Sequence, residues 1–293
     1  MMLNAWPRGA RNSDSPVKLL ILVPASSAPS RHCGRFPSAP RTLASCKRRC
    51  SRRCFRTMSD MDVVDRRTML LDEFESNLEE GDLAGAAIRL RALEGELPAG
   101  DPELLYARAR LAWVEQGQEA ALPALQEVVT VDPHHSDAHY DLGRIAEQQG
   151  DRDALVKHFL RVRALDAEHD RDAGLGRPEH FDFIDRVARE VLDALPAPFG
   201  ARLAHVPVLI ERRPSRALVE DGFDPRSFGL FEGPTDAMRD VPAPTRIVLF
   251  ACNLLAEFPD PDTLAHQVEL TLLHEIGHFF GLDEAELEDL GLG

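Results

Sequence analysis

The chain has 293 residues, of which 44% are apolar and 28% charged, with a formal net charge of −15. This length suffices for two modest globular domains, and the sequence holds no uninterrupted apolar stretch of about 18 residues, the length that spans a bilayer. We therefore expect no membrane-spanning segment. The acidic charge also disfavours binding to the phosphates of nucleic acids.

Residues 1–57 differ in charge from the rest of the chain. They hold twelve basic residues and one acid, which leaves 22 basic and 48 acidic residues, a balance of −26, in residues 58–293. Because the first segment is rich in Arg, Ser and Pro and lacks amphipathic periodicity, we predict a disordered extension. The composition changes abruptly at Met58, which favours a misassigned start codon over a secretory signal or a mitochondrial-type presequence.

The same segment contains a cysteine cluster with a regular spacing of four residues. It comprises Cys46, Cys50 and Cys54. No fourth ligand stands at a suitable distance along the chain, and arginines fill the gaps, so we do not favour a metal site there.

Residues 65–169 carry apolar residues at three- and four-residue spacing, with glycines between the periodic stretches, which predicts a series of helices. Similar residues recur 34 positions apart, for example Tyr106 and Tyr140, Arg110 and Arg144, Leu111 and Ile145, and Ala112 and Ala146. This period and these residues resemble about three tetratricopeptide repeats, enough for a stable stack. The resemblance implies an all-α domain whose concave groove binds a protein or peptide. The pattern leaves open an ordinary helical bundle.

A polar, glycine-containing stretch over residues 170–178 predicts a linker. The next predicted helix covers residues 178–195 and has one apolar face. Short β-strand candidates follow at 206–210, 229–231 and 246–250. The last of these is apolar and β-branched enough to be a central strand.

Near its C terminus the chain reads H-E-I-G-H, a pattern typical of zinc hydrolases. We predict a helix over residues 261–280, because Asp260 can cap its start and Gly281 can provide a left-handed stop. On that helix His274 and His278 lie four residues apart on one face. Both imidazoles can therefore reach one Zn²⁺ ion.

A catalytic zinc site needs three protein ligands and one open position for water. Glu275 lies beside the first histidine, where it can accept the proton of that water, and it is the predicted catalytic residue. We predict His274, His278 and Glu284 as the metal ligands. Glu284 stands six residues after His278, where the extended pattern H-E-x-x-H-x-x-G-x-x-H has its last histidine. Asp283 remains the alternative, since a shift of one residue at the turn would exchange the two acids.

Four features together resemble the minimal zincin family of small metallopeptidase-like domains. They are a leading helix that ends in Leu195-Pro196, the segment G-L-F-E-G over 229–233, the strand R-I-V-L-F over 246–250 and the terminal H-E-I-G-H-F-F-G over 274–281. The resemblance implies an α+β domain over residues 179–293, with a short sheet against the zinc helix. It also implies that the third ligand is an acidic residue after Gly281. The predicted protein is thus multidomain, with all-α repeats followed by a small α+β domain.

Two functions agree with this sequence. The first is a zinc-dependent metallopeptidase that hydrolyses peptide bonds and whose repeat domain recruits a protein partner or a peptide substrate. The alternative is a non-catalytic repeat scaffold in which the zincin-like fold is only stabilised by its metal. Cys252 is the single cysteine after residue 57, so a structural disulfide is excluded there, which favours a cytoplasmic protein.

Overall fold

The computed structural model describes residues 58–238 and 244–292. The extension predicted over residues 1–57, with its cysteine cluster, lies outside these residues. Across the described part of the chain, we find no helix with the length and apolar character that a bilayer crossing requires.

The first half of the described chain consists of three consecutive helix pairs. They are α1 (Met58–Glu79) with α2 (Leu83–Glu96), α3 (Pro102–Gln116) with α4 (Gln118–Val131), and α5 (Ser136–Gln149) with α6 (Arg152–Ala173). Each helix packs most extensively against its partner in the pair, and each pair also packs against the next. This arrangement is a stack of tetratricopeptide-like repeats, which confirms the predicted all-α repeat architecture.

Aspartates set the start of several of these helices. The side chains of Asp82, Asp101 and Asp151 accept hydrogen bonds from backbone N–H groups in the first turns of α2, α3 and α6. These N–H groups have no partner within their helix, so an aspartate at this position stabilises the helix end. Local sequence therefore determines where these three helices begin.

The two tyrosines that lie 34 residues apart make equivalent hydrogen bonds. Tyr106 on α3 donates its hydroxyl proton to Asp141 Oδ2 of the following repeat, at 3.0 Å. Tyr140 on α5 donates in the same way, but its acceptor is Asp224 Oδ2, at 2.6 Å, in the C-terminal half of the chain. Asp224 therefore takes the position that the next repeat would supply.

The arginines one turn further along the same helices follow this pattern. Arg110 Nη1 lies 3.9 Å from Asp141 Oδ2, and Arg144 Nη1 lies 3.7 Å from Asp224 Oδ2. The C-terminal domain also supplies an apolar residue where a further repeat would do so. Val219 is fully buried and joins the core of the last helix pair. Repeat stacks need a cap over their terminal apolar face. Here the C-terminal domain provides that cap.

The C-terminal domain contains six α-helices and three strands among the residues described. In chain order these are α7 (Pro178–Ala194), α8 (Ala197–Leu203), β1 (Val208–Glu211), α9 (Arg216–Glu220), β2 (Gly229–Glu232), β3 (Arg246–Phe250), α10 (Ala251–Glu257), α11 (Pro261–Phe279) and α12 (Glu284–Asp289). α6 ends at Ala173, inside the predicted linker, so that only residues 174–177 separate it from α7.

The three strands form one small mixed sheet in which β3 is central. β1 pairs parallel to β3 on one side, and β2 pairs antiparallel on the other, with Leu230 opposite Val248. β3 is almost completely buried after its first residue, as its apolar sequence predicts. α11 packs against β2, β3 and α7, so that the domain has the predicted α+β fold with a short sheet beside the helix that carries the H-E-I-G-H pattern.

Candidate metal centre

α11 begins and ends where its terminal residues require. The Asp260 carboxylate caps the first turn by accepting the backbone N–H of Thr263 at 2.9 Å. Beyond the last turn, Gly281 has a φ of 87°, a conformation that residues with a Cβ rarely adopt. This turn directs the following residues back along the helix. The helix predicted over residues 261–280 is confirmed to within one residue.

His274 and His278 on α11 point their Nε2 atoms at each other across 3.0 Å. Each Nδ1 atom lies at hydrogen-bond distance from a backbone carbonyl oxygen, that of Leu292 for His274 (2.7 Å) and that of Leu282 for His278 (3.0 Å). A carbonyl only accepts, so Nδ1 carries the proton in both rings. In the neutral rings, both Nε2 atoms then present lone pairs to each other. Such an arrangement fits a cation that binds between the two Nε2 atoms.

Glu284 completes this arrangement from the first turn of α12. Its Oε1 lies 3.3 Å from His278 Nε2, and its Oε2 lies 3.6 Å from His274 Nε2. Ligand atoms of the three residues lie within 4.8 Å of one another, and no second such group occurs among the residues described. The Glu284 side chain is 73% exposed, so a ligand could reach this position from solvent.

Asp283 has a different role in the structure. Its carboxylate accepts the backbone N–H of Glu286 at 2.9 Å, while the Glu286 side chain accepts the N–H of Asp283 at 3.3 Å. This reciprocal pair is a capping box, and it holds the start of α12. Asp283 therefore orients the helix that presents Glu284.

Glu275 is buried beside the histidines, with only 6% of its surface exposed. Burial raises the pKa of its carboxyl to about 8. The backbone N–H of Phe231 on β2 donates to the carboxylate and opposes this rise, whereas the negative charge of Glu284 adds to it. A Cβ at Gly229 would stand 2.6 Å from Glu275 Oε1. Glycine at the start of β2 is thus what lets the glutamate approach the strand.

A cleft of about 1070 Å³ lies between β2 and α11, and we refer to it as the metal cleft. Its walls include residues 227–233, both histidines, Glu275 and Glu284. Among the strands that the structure describes, β2 is an edge strand, because it pairs only with β3. The candidate ligands, the buried carboxylate and a strand edge therefore share one cleft.

Residues 203–293 match the family model described as zincin-like metallopeptidase. The C-terminal domain belongs to this family. We call the C-terminal domain, from α7 to α12, the zincin domain. Its first helix, α7, and most of α8 precede the matched residues.

The chain also resembles two curated proteins of Escherichia coli. It is 32% identical over 110 residues to the cellulose synthase operon protein C of strain K12, and equally to the putative cellulose synthase operon protein C of O157:H7. The similarity covers 37% of this chain and 9% of each relative. The similar region is thus a small part of these much longer proteins.

Sequence reasoning missed several groups that hold the zincin site in place. The backbone carbonyls of Leu282 and Leu292 orient the two imidazoles, and the N–H of Phe231 binds Glu275. Backbone groups leave no signature in the residue types. The glycine that begins G-L-F-E-G was an available signal for a close approach, but its partner, Glu275, is distant in sequence.

Proposed function

We propose that this chain is a zinc-dependent hydrolase of peptide bonds, with His274, His278 and Glu284 as metal ligands and Glu275 as the proton acceptor. The observation that carries this proposal is the convergence of two Nε2 lone pairs and an exposed carboxylate beside a buried glutamate. The membership of the C-terminal domain in the zincin-like metallopeptidase family supports it.

The donor set favours zinc over harder cations. Two imidazole nitrogens and one carboxylate form one of the sets that hold catalytic zinc and leave one position open, whereas magnesium and calcium prefer oxygen ligands. Bound zinc supplies a Lewis acid that lowers the pKa of a water molecule to about 7.

Glu275 has the surroundings that a proton acceptor needs. Without a nearby cation its carboxyl is largely protonated at neutral pH, since its pKa is raised to about 8. A positive charge in the adjacent site favours the ionised form. The ionised carboxylate can take a proton from water and pass it to the leaving amine. The backbone N–H of Phe231 also favours the ionised form, because it lowers the pKa of this carboxyl.

The edge of β2 gives the metal cleft a way to bind an extended peptide. A strand edge presents N–H and C=O groups that can pair with an added strand. This edge belongs to the strand that also contacts Glu275. A peptide paired there would run past the proton acceptor and the proposed ligands, which supports hydrolysis of peptide bonds over the function of a purely structural metal site.

Purified full-length protein loaded with zinc is expected to cleave members of a library of unstructured peptides. Cleavage should stop when a strong zinc chelator is added and return when zinc is restored in excess, because the reaction depends on the bound metal. Mass spectrometry of the products measures both effects. If the protein binds zinc tightly but cleaves no peptide under any of these conditions, the alternative of a non-catalytic scaffold is correct.

We also propose that the repeat domain binds a protein or peptide. Part of its surface is already used, because Asp137 and Tyr140 on α5 contact Arg226 and Asp224 of the zincin domain. We assign the partner to the surface of the repeats that neither the following repeat nor the zincin domain covers. The acidic balance of the chain after residue 57 favours a basic partner over nucleic acid.

Basic, unstructured peptides are accordingly expected to bind the full chain with an affinity that falls as salt rises, since screening weakens attraction between opposite charges. Acidic peptides of the same length serve as the control. Titrations at several salt concentrations measure this dependence. Tight, salt-sensitive binding of DNA or RNA would refute the electrostatic argument.

A further inference from the structure

A buried asparagine holds the segment that leads into β2. Asn253 on α10 donates both hydrogens of its side-chain amide, one to the carbonyl oxygen of Pro225 (3.0 Å) and one to that of Ser227 (2.6 Å). Its own carbonyl oxygen accepts a hydrogen bond from Arg213. All the polar groups of this amide are thus occupied. The backbone just before the edge strand is fixed at two points.

Arg213 in turn is held by the last repeat helix. Its Nε and Nη2 donate to the two carboxylate oxygens of Asp170 at 2.7 and 2.8 Å, and its Nη1 also donates to Asp166 at 3.3 Å. Asp170 is 1% exposed and Arg213 is 8% exposed. A buried guanidinium paired in this two-pronged way has a fixed orientation. The position of the Asn253 amide is therefore set by α6.

The other end of this series of contacts is Glu275. Its carboxylate accepts the N–H of Phe231 and lies against Gly229, both on β2. A shift of β2 would move the donor away from this carboxylate and would also move the edge that borders the metal cleft. Hydrogen bonds thus connect α6, through Arg213 and Asn253, to the backbone that leads directly into β2. β2 in turn contacts the proposed proton acceptor.

From this geometry, and resting on the proposed function, we propose that Arg213 and Asn253 are positioning residues. They make the last repeat helix part of the scaffold that places β2 and Glu275 for hydrolysis. The alternative role for the same contacts is simple attachment of the two domains to each other. The two roles differ in what a variant changes, because attachment affects the whole interface, whereas positioning affects β2 first.

Asn253→Asp is the sharpest test. It keeps the size of the side chain and its acceptor for Arg213, but it replaces the donor group with an oxygen that faces two carbonyl oxygens. We expect the amides of residues 229–232 to exchange hydrogen at least about tenfold faster, as expected when hydrogen bonds that hold a segment are lost. The amides of residues 208–211 should be unchanged, and so should the zinc content. Arg213→Lys, whose single ammonium cannot reproduce the two-pronged pairing with Asp170, should give a similar pattern.

Arg152→Ala is the matched control. Arg152 also joins α6 to the zincin domain, by donating to the backbone carbonyls of Glu220 and Asp221 at 3.1 Å, but no hydrogen bond connects it to Arg213 or to Asn253. Its replacement should leave exchange at residues 229–232 as in the wild type. Positioning is refuted if Asn253→Asp leaves this exchange unchanged, or if it accelerates exchange equally at residues 208–211.

Hydrolysis gives a second, separate measurement. With a peptide that the wild type cleaves, Asn253→Asp should lower kcat/KM about tenfold at unchanged zinc content, because the strand that contacts the substrate and the glutamate is displaced. An unchanged kcat/KM would also refute positioning. If the wild type cleaves nothing, the proposed hydrolase function fails, while hydrogen exchange, which needs no substrate, still decides whether Arg213 and Asn253 hold β2.

Discussion

Replacing Glu284 with alanine is expected to lower the zinc affinity of the protein by at least about 100-fold. Removing a residue that only supports a ligand lowers metal affinity by up to about 100-fold, and removing a ligand should cost at least as much. The substitution leaves two imidazoles to hold the ion, whereas a zinc site needs three protein ligands to keep its metal. Glu284 is 73% exposed, so its removal creates no cavity. The effect should thus appear in metal affinity and not in folding. Metal analysis and competition with a colorimetric chelator measure it.

Two variants of α12 serve as controls for this experiment. Asp283→Ala removes the cap of the helix, which costs about 1 kcal/mol of stability, but it should retain the metal because its carboxylate binds the N–H of Glu286. Glu288→Ala removes a negative charge from the same short helix and should change neither property. Loss of zinc in Asp283→Ala, with retention in Glu284→Ala, would assign the third ligand to Asp283.

The parts of the fold that were predictable are those that local sequence determines. α11 follows from its Asp260 cap and its Gly281 stop, and β3 from its apolar, β-branched composition. The repeats follow from a period of 34 residues, which every helix pair must respect to pack on the next one. In each case the information lies within the element or in its spacing.

The elements that were missed are short. α8, α9, α10 and α12 have between five and seven residues, too few for a helical period to be recognised. Such helices are marginal alone and form because their neighbours cover them. Val219 on α9, for example, is fully buried only because the last repeat packs over it.

The residues of the candidate site likewise fall into those that local sequence predicts and those that it does not. The spacing of His274 and His278 is local and was readable, and the pattern after Gly281 indicated Glu284. The residues that hold the site in place are distant from one another in sequence. Arg213 lies 43 positions from Asp170 and 40 positions from Asn253, and it donates hydrogen bonds to both. Asp170 illustrates the difficulty, because a polar residue in a polar stretch predicts exposure. Only its bidentate partner makes burial possible.

Glu275→Gln is expected to keep the metal and to lower the rate of peptide hydrolysis by a factor of about 10² to 10⁴, the range typical of losing a general base. Glutamine has nearly the same shape and keeps an oxygen that can accept the N–H of Phe231. It cannot take a proton from water. Folding should not suffer, because the same burial that raises the pKa of the Glu275 carboxyl to about 8 disfavours its charged form and favours a neutral amide there.

Glu269→Gln is the matched control for this prediction, since it makes the same chemical change on the same helix. The Glu269 side chain is 47% exposed, and it lines no part of the metal cleft, so its replacement should leave both zinc content and hydrolysis unchanged. Initial rates at equal zinc content separate the roles of the two glutamates. Hydrolysis that persists in Glu275→Gln would show that another group accepts the proton. Loss of zinc in that variant would instead make Glu275 a ligand, because a glutamine amide is a much poorer partner for the metal than a carboxylate.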